Sequence, residues 1–381
     1  MSWEKVKLGE LYNVHNGLSK GKQFFGSGYP FLSFSTVFNN WFLPKTLSDL
    51  VQSSDKERES YSILRGDIFI TRTSETMDEL GMSSVALRDY PNATYNGFTK
   101  RLRPIDSQRI LPEFIGYYLR CSEFRNQFVA FSTMTTRASL RNEDLLSIEV
   151  PVPTMPTQRR IADVLSAYDD LIENNRKQIK LLEEAAQRLY QEWFVDLRFP
   201  GHEHTKIVDG VPEGWEKRLL GDVVEVKYGK DHKSIPDGLI PVYGSGGFMR
   251  KCNQVIYDGE SVLIPRKGSL NNIIYVDEAF WTVDTMFYTK MKLPDIGIFV
   301  YFFVKSFDMY SMNIGAAVPS MTTNILNALD IIIPNNDVLG QFQSVSKNFF
   351  NKIALLHKQI ETATQARDRL LPKLKNGEVE V

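Results

Sequence analysis

Cysteine is nearly absent from this chain: there are two in 381 residues, Cys121 and Cys252, far apart and without CxxC spacing. That excludes a disulfide framework and a cysteine zinc site, and makes both thiols small buried hydrophobes. A surplus of either charge is also missing, with 45 Lys and Arg against 46 Asp and Glu. A chain so balanced is poorly equipped to grip a nucleic acid through phosphates alone, so if it binds DNA, something else supplies much of the charge. The longest apolar run, Ile296 to Val304, is far short of a membrane span, and the opening MSWEKVKLGEL has no apolar signal core, which places the protein in the cytoplasm. Catalytic signatures are missing too. There is no GK[ST] phosphate loop, no GxGxxG, no HExxH and no Asn/Asp-Pro-Pro-aromatic motif. Gly244-Ser-Gly-Gly247 reads as a plain turn, Pro236-Asp237 and Pro294-Asp295 lack a following Glu-x-Lys, and His202 and His204 read as surface histidines without a third ligand. No catalytic centre, metal site or bound cofactor is expected in this chain.

What the chain does have is a long uninterrupted amphipathic stretch, Thr157 to Val195. Apolar or small residues recur in steps of four and three at Ile161, Leu165, Tyr168, Ile172, Ile179, Leu182, Ala186, Leu189 and Trp193, broken once by Asn175. This is a coiled-coil seam, and a helix of that length spans roughly 55 Å. A lone Asn in such a seam sets register and partner orientation at a cost in stability, so Asn175 reads as a pairing determinant, against the alternative of a merely exposed Asn.

The chain is too long for one ordinary core, and it is written twice. WEKVKLGELYNVHNG from Trp3 is answered by WEKRLLGDVVEVKYG from Trp215, and Gly66 to Arg72 by Gly259 to Arg266, the second pair giving in each case a turn glycine, an apolar strand and a terminal arginine. Ser139 to Leu145 is answered by Ser320 to Leu326, and Lys177-Gln-Ile-Lys by Lys358-Gln-Ile-Glu. Four blocks in one order indicate an internal duplication. A second long helix, about Val338 to Lys375, repeats the seam through Phe342, Phe349, Ile353, Leu356, Ile360, Ala363 and Leu370, interrupted by Ser346 and Arg367. The two helices pair either antiparallel within the chain, with a globular unit at each end, or across two chains.

The expected layout is a globular unit at 1–153, the central helix at 154–198, a linker at 199–212, a second unit at 213–335 and the distal helix at 336–376. Each unit reads as mixed α/β. Ile68 to Thr71, Val262 to Ile264 and Ile273 to Val276 are strand-like, Pro112 to Leu119 is a short buried helix, and Ile298 to Lys305 is a helix or a strand.

Equivalent loops of the two units are rich in small polar and basic residues. In the first they hold Arg72, Thr73 and Ser74, then Thr135 and Arg137; in the second, Lys230 and Lys233, then Arg266, Lys267 and Asn271, then Thr322 and Thr323. Arginine reads guanine, asparagine reads adenine, and hydroxyls hold phosphates, so these loops are material for groove recognition. Ser, Thr and Asn populate loops in any protein, but the duplication puts Arg72 and Arg266 at the end of the same strand.

Pro151 to Leu165, PVPTMPTQRRIADVL, and Gln187 to Glu203, QRLYQEWFVDLRFPGHE, resemble the end of a target-recognition domain and the central helix of the specificity subunits of type I restriction-modification systems. The resemblance covers essentially the whole chain. It implies an α+β fold, in which two duplicated mixed α/β target-recognition domains are separated by two long helices forming an antiparallel coiled coil. It also implies a non-catalytic subunit in which each domain reads half of a split double-stranded DNA site, while the helices set the unread gap and dock two methyltransferase subunits. Those partners would carry S-adenosylmethionine and methylate adenine, and translocase and nuclease subunits using ATP and Mg would cleave. The family's Glu-Gln at the helix start is Thr157-Gln158 here, and the second start, Asp337 to Phe342, matches loosely. The offset between matched blocks falls from 212 (Trp3 to Trp215) to 181 (Ser139 to Ser320), so the two half-sites are expected to differ. Two other readings compete: a coiled-coil scaffold whose heads bind proteins, and a stand-alone metal-dependent nuclease.

Overall fold

The computed structural model describes residues 3–74, 80–121, 124–127, 133–134, 138–139, 141–312 and 319–375. The chain forms two compact units, 1–175 with 358–381 and 176–357, so each long helix is divided between them.

The duplication seen in the sequence is repeated element by element. The first unit opens with strand Glu4–Lys7, the one-turn helix Leu8–Leu11 and strand Tyr12–Asn16; the second opens with Glu216–Leu219, Leu220–Val223 and Val224–Tyr228, of the same lengths. In each unit the opening strand pairs antiparallel with the last one, Glu4–Lys7 with Glu149–Val152 and Glu216–Leu219 with Asp330–Ile333. The glycines that close the two matched segments have a shared steric reason. A Cβ on Gly17 would lie 1.9 Å from the Asn96 carbonyl oxygen, and one on Gly229 would lie 2.0 Å from that of Val283.

Strand order is likewise shared. In the second unit a six-stranded sheet runs Val224–Tyr228, Met286–Met291, Tyr257–Pro265, Ile274–Thr282, Ile240–Gly244, Gly247–Cys252. In the first unit the same order is split into a four-stranded sheet (Tyr12–Asn16, Thr99–Pro104, Ile68–Thr71, Ser83–Val85) and a three-stranded one (Thr94–Tyr95, Phe25–Leu32, Asp49–Val51). Among the pairings between these strands one in each unit is parallel, Phe31 with Thr94 and Val242 with Trp281. Between Leu32 and Asp49 the first unit carries a helix, Phe34–Asn39, whereas the second turns from Gly244 to Gly247 through two residues. Gly66 precedes its strand at φ 91°, but Gly259 lies inside Tyr257–Pro265 opposite Glu278. The sequence match of these two as turn glycines is therefore corrected: they share positive φ, not a turn.

The cores form where the apolar runs meet. Gly297–Lys305 is a helix, buried along nearly its whole length because its sequence is apolar on every side. Pro112–Tyr118 is also a helix, with proline at its start, where a missing N–H costs nothing. The central helix, Met155–Tyr190, ends in a π-helical turn, Gln191–Val195, and the distal helix is Asn336–Lys375.

In the first unit Ile161, Ala162 and Leu165 join the domain core together with Leu371 and Leu374, with Leu370 packed against it and Ile172 also buried. Asp169 accepts from Arg367 Nη1 at 2.6 Å and from the Tyr117 hydroxyl at 2.7 Å, and Asn175, 2 % exposed, donates Nδ2–H to Gln359 at 3.2 Å. Partner numbers fall from 367 to 359 as 169 rises to 175, so the two segments run antiparallel. Ile360 is half-buried nearby.

In the second unit Ala186 and Tyr190 share a core with Leu339 and Phe342, with Leu189, Trp193 and Phe349 packed against it. Phe194 stands edge-on to both Phe299 and Phe342, with ring centroids 4.8 Å apart in each pair. Ile179, Ile353 and Leu356 are buried and Leu182 half-buried. Ser346, which interrupts the apolar seam, is fully buried, and its hydroxyl has no hydrogen-bond partner.

Candidate nucleic-acid interface

In the first unit Arg72 follows strand Ile68–Thr71 and its backbone N–H donates to the Phe98 carbonyl at 3.0 Å. Beyond it Thr73 and Ser74 lie opposite Ser139 and Ala138, and these pair in turn with Thr133 and Met134. The two polar loops singled out in the sequence are thus strand-paired; Thr135 and Arg137 lie outside the described residues. Arg72 is half-buried beside Lys100. Burial first, and then the Arg72 charge, hold the Lys100 ammonium below its usual range, while its Nζ donates to Asn142 Oδ1. Phe98, whose carbonyl receives Arg72, is 58 % exposed.

The second unit repeats this arrangement with other side chains. The backbone N–H of Arg266 donates to the Thr285 carbonyl at 2.8 Å, Met321 N–H donates to the Arg266 carbonyl at 2.9 Å, and Lys267 bridges to Ser320. The Arg266 guanidinium donates to the Asp284 carbonyl at 3.1 Å and sits 5.4 Å from the centre of the exposed Tyr228 ring. Lys267, Lys230 and Lys233 are exposed; the Lys230 carbonyl accepts from Trp281 Nε1–H at 3.1 Å, and the Lys233 backbone is held by the Asp231 carboxylate at 3.2 Å.

Two residues of the set do structural work. Asn271 donates to Asp308 at 3.0 Å and accepts from Met309 N–H at 2.8 Å, which commits both ends of its amide to a turn. Thr322 caps the helix Thr323–Asn327 by accepting from Ile325 N–H, and Thr323 is half-buried at the helix start.

Sequence reasoning passed over three features. The Gly244 to Gly247 turn is the tip of a hairpin, where Asn272 Nδ2 donates to the Ser245 carbonyl at 2.9 Å. It lines a cleft of about 690 Å³ with Asp231, His232, Lys233, Asp284 and Thr285. Phe248 and Met249, next along the strand, are 58 % and 51 % exposed. Two adjacent apolar residues in a short strand gave no signal of this.

The second feature is Arg120. Its guanidinium donates to the carbonyls of Ser83, Val37, Phe38 and Asn40 at 2.7–3.1 Å, and so fixes the Phe34–Asn39 helix; burial, with Arg125 nearby, pushes its pKa down to about 10. A lone arginine after Tyr-Tyr-Leu cannot be told in sequence from a surface one. The third is a groove of about 400 Å³ on the paired helices of the second unit, lined by Leu181, Glu184, Ala185, Arg188, Leu189, Glu192, Val345 and Phe349. Leu181 there is 64 % exposed.

Among the described residues no cluster of three or more His, Cys, Asp or Glu is placed to hold a metal ion, and no helix is long and apolar enough to cross a membrane.

The family described as the type I restriction modification DNA specificity domain matches twice, at residues 1–184 and 212–365. The type I restriction enzyme MjaIX specificity subunit of Methanocaldococcus jannaschii is 26 % identical, with 100 % of this chain and 94 % of that protein covered. The type I restriction enzyme HindI specificity subunit of Haemophilus influenzae is 22 % identical, covering 99 % of each. Among solved structures, the S subunit of a type I restriction-modification system from M. genitalium shares the fold at a TM-score of 0.61, with 18 % identity over 98 % of this chain and 96 % of that one.

Proposed function

Because this chain belongs to the type I restriction modification DNA specificity family, we propose that it selects the target of a methyltransferase complex by reading a split DNA site, one half with each domain. The observation that carries the reading is the repeated loop pair. Arg72 and Arg266 leave the same strand, make the same backbone bond, to Phe98 and to Thr285, and stand beside the same pairing, Thr73 with Ser139 and Lys267 with Ser320. One frame carrying different side chains at one place is what two related readers of different bases require.

Catalysis belongs to partner subunits. Two methyltransferase subunits carrying S-adenosylmethionine methylate one adenine in each half-site, and restriction subunits using ATP and Mg join them for cleavage. The near-neutral charge supports this division, since partners share the phosphate contacts. The groove along Leu181, Leu189, Val345 and Phe349 suits an apolar docking contact for a methyltransferase subunit.

The test is adenine-methylation mapping by long-read sequencing in a methylation-free host that expresses this chain with a methyltransferase subunit encoded beside it. A two-part motif with a fixed gap is expected. If the complex forms, binds its cofactor and methylates nothing, the reading fails and the protein-binding scaffold takes its place.

A further inference from the structure

The two domains share a frame, so the places where the frame itself changes are informative. Between matched strands the first domain carries Phe34–Asn39 and the chain up to Leu47, pinned by Arg120; the second has only the Gly244–Gly247 tip. That tip is built to keep its shape. Asn272 holds the Ser245 carbonyl at 2.9 Å, the Tyr243 hydroxyl donates to Glu278 at 3.1 Å, and the Tyr243 and Phe248 rings meet edge-on at 6.4 Å. Gly247 adopts φ 110°, which lets the strand leave a two-residue turn.

What the tip presents is apolar. Phe248 and Met249 are exposed and line the cleft together with Lys233. Exposed lysines 230 and 267 belong to neighbouring loops, and Gly268 lies against Ser245, so the tip continues the polar face already assigned to DNA. Of the acidic groups on the rim, the Asp231 carboxylate is engaged in holding backbone, accepting from the N–H groups of His232 and Lys233. An aromatic ring and a thioether on a rigid tip, flanked by lysines, suit a duplex groove: the cations meet phosphates while the apolar groups meet thymine methyls or base steps.

We propose that the Tyr243–Met249 hairpin tip is a specificity determinant of the second domain, with Phe248 and Met249 making apolar contact with the bases of its half-site. This rests on the bipartite-reader function above, and the experiment keeps the two apart. Methylation is mapped for the wild-type chain, for Phe248→Ala with Met249→Ala, and for Phe248→Leu, each expressed with the same methyltransferase subunit, with complex formation checked by size-exclusion chromatography.

The double variant is expected to keep the gap and one half-motif while losing discrimination at one or two base pairs of the other. Methylation of the mismatched sites should rise roughly tenfold, the scale of one lost base contact. Phe248→Leu, which keeps the apolar bulk, should relax discrimination less. An unchanged motif in the double variant overturns the proposal while leaving the bipartite reading intact. Relaxation spread over both half-motifs, or equal loss at both, also overturns it. A wild-type chain that directs no methylation removes the function on which the proposal stands.

Discussion

Among single residues, Gln158 shows how a polar side chain can hold a domain to its helix. It is fully buried, accepts from Leu111 N–H at 2.7 Å, and donates to the carbonyls of Pro153 at 2.9 Å and Arg109 at 3.2 Å. Every polar atom of its amide is used, at the point where the last strand gives way to the central helix. Gln158→Ala strands one backbone N–H and two carbonyls in the interior and should cost about 3 kcal/mol, seen as a lower denaturant midpoint of the first unit. In sequence Gln158 counted only as part of a family signature; its reason depends on a loop 47 residues earlier. Arg72 and Arg266 stood out in sequence because they are repeated, whereas nothing in sequence showed that the Asn271 amide and the Thr322 hydroxyl, read there as a base contact and a phosphate contact, also hydrogen-bond to the fold. Composition marks a residue as able to bind DNA, but only its surroundings tell which of its polar atoms the fold already engages.

For whole elements, the legible part of the fold was what repeats locally. The two long helices could be read from their period and the kinship of the two opening segments from the duplication, though the strand-helix-strand form of those segments could not. The sheets could not, since their order depends on pairings between distant strands, such as Val242 with Trp281. Nor could the sharing of each helix between two compact units, because an apolar seam does not say which core it enters. The glycines carry the same lesson into energetics. Gly229→Ala would drive a Cβ to 2.0 Å from the Val283 oxygen and 2.4 Å from Thr282 Oγ1. Overpacking of this severity should lower the stability of the second unit by about 3 kcal/mol. Gly340 lies inside the distal helix with nothing within 4 Å of its would-be Cβ, so Gly340→Ala should instead raise stability by about 1 kcal/mol. Denaturant unfolding of the two variants side by side checks both signs.

For the whole molecule, the two domains depart from each other in the loops that follow a shared frame, with a helix where the other has a tight turn. The mapped motif should therefore be asymmetric, and a palindromic motif would count against the assignment of these loops to base reading. Adding one heptad to both long helices should widen the unread gap by about three base pairs, since seven helical residues rise about 10 Å and a base pair about 3.4 Å. Methylation that persists with an unchanged gap would show that the helices do not set it.

The pairing of first and last strands within each domain has a consequence for inheritance. Glu4–Lys7 lies beside Glu149–Val152, and Glu216–Leu219 beside Asp330–Ile333, so the chain arrives at and departs from each domain through neighbouring hydrogen-bonded segments. A recombination event that replaces the sequence between those segments substitutes a complete module and leaves its frame closed. A lineage carrying this gene can thus acquire a new half-target in one genetic step while the other half is kept.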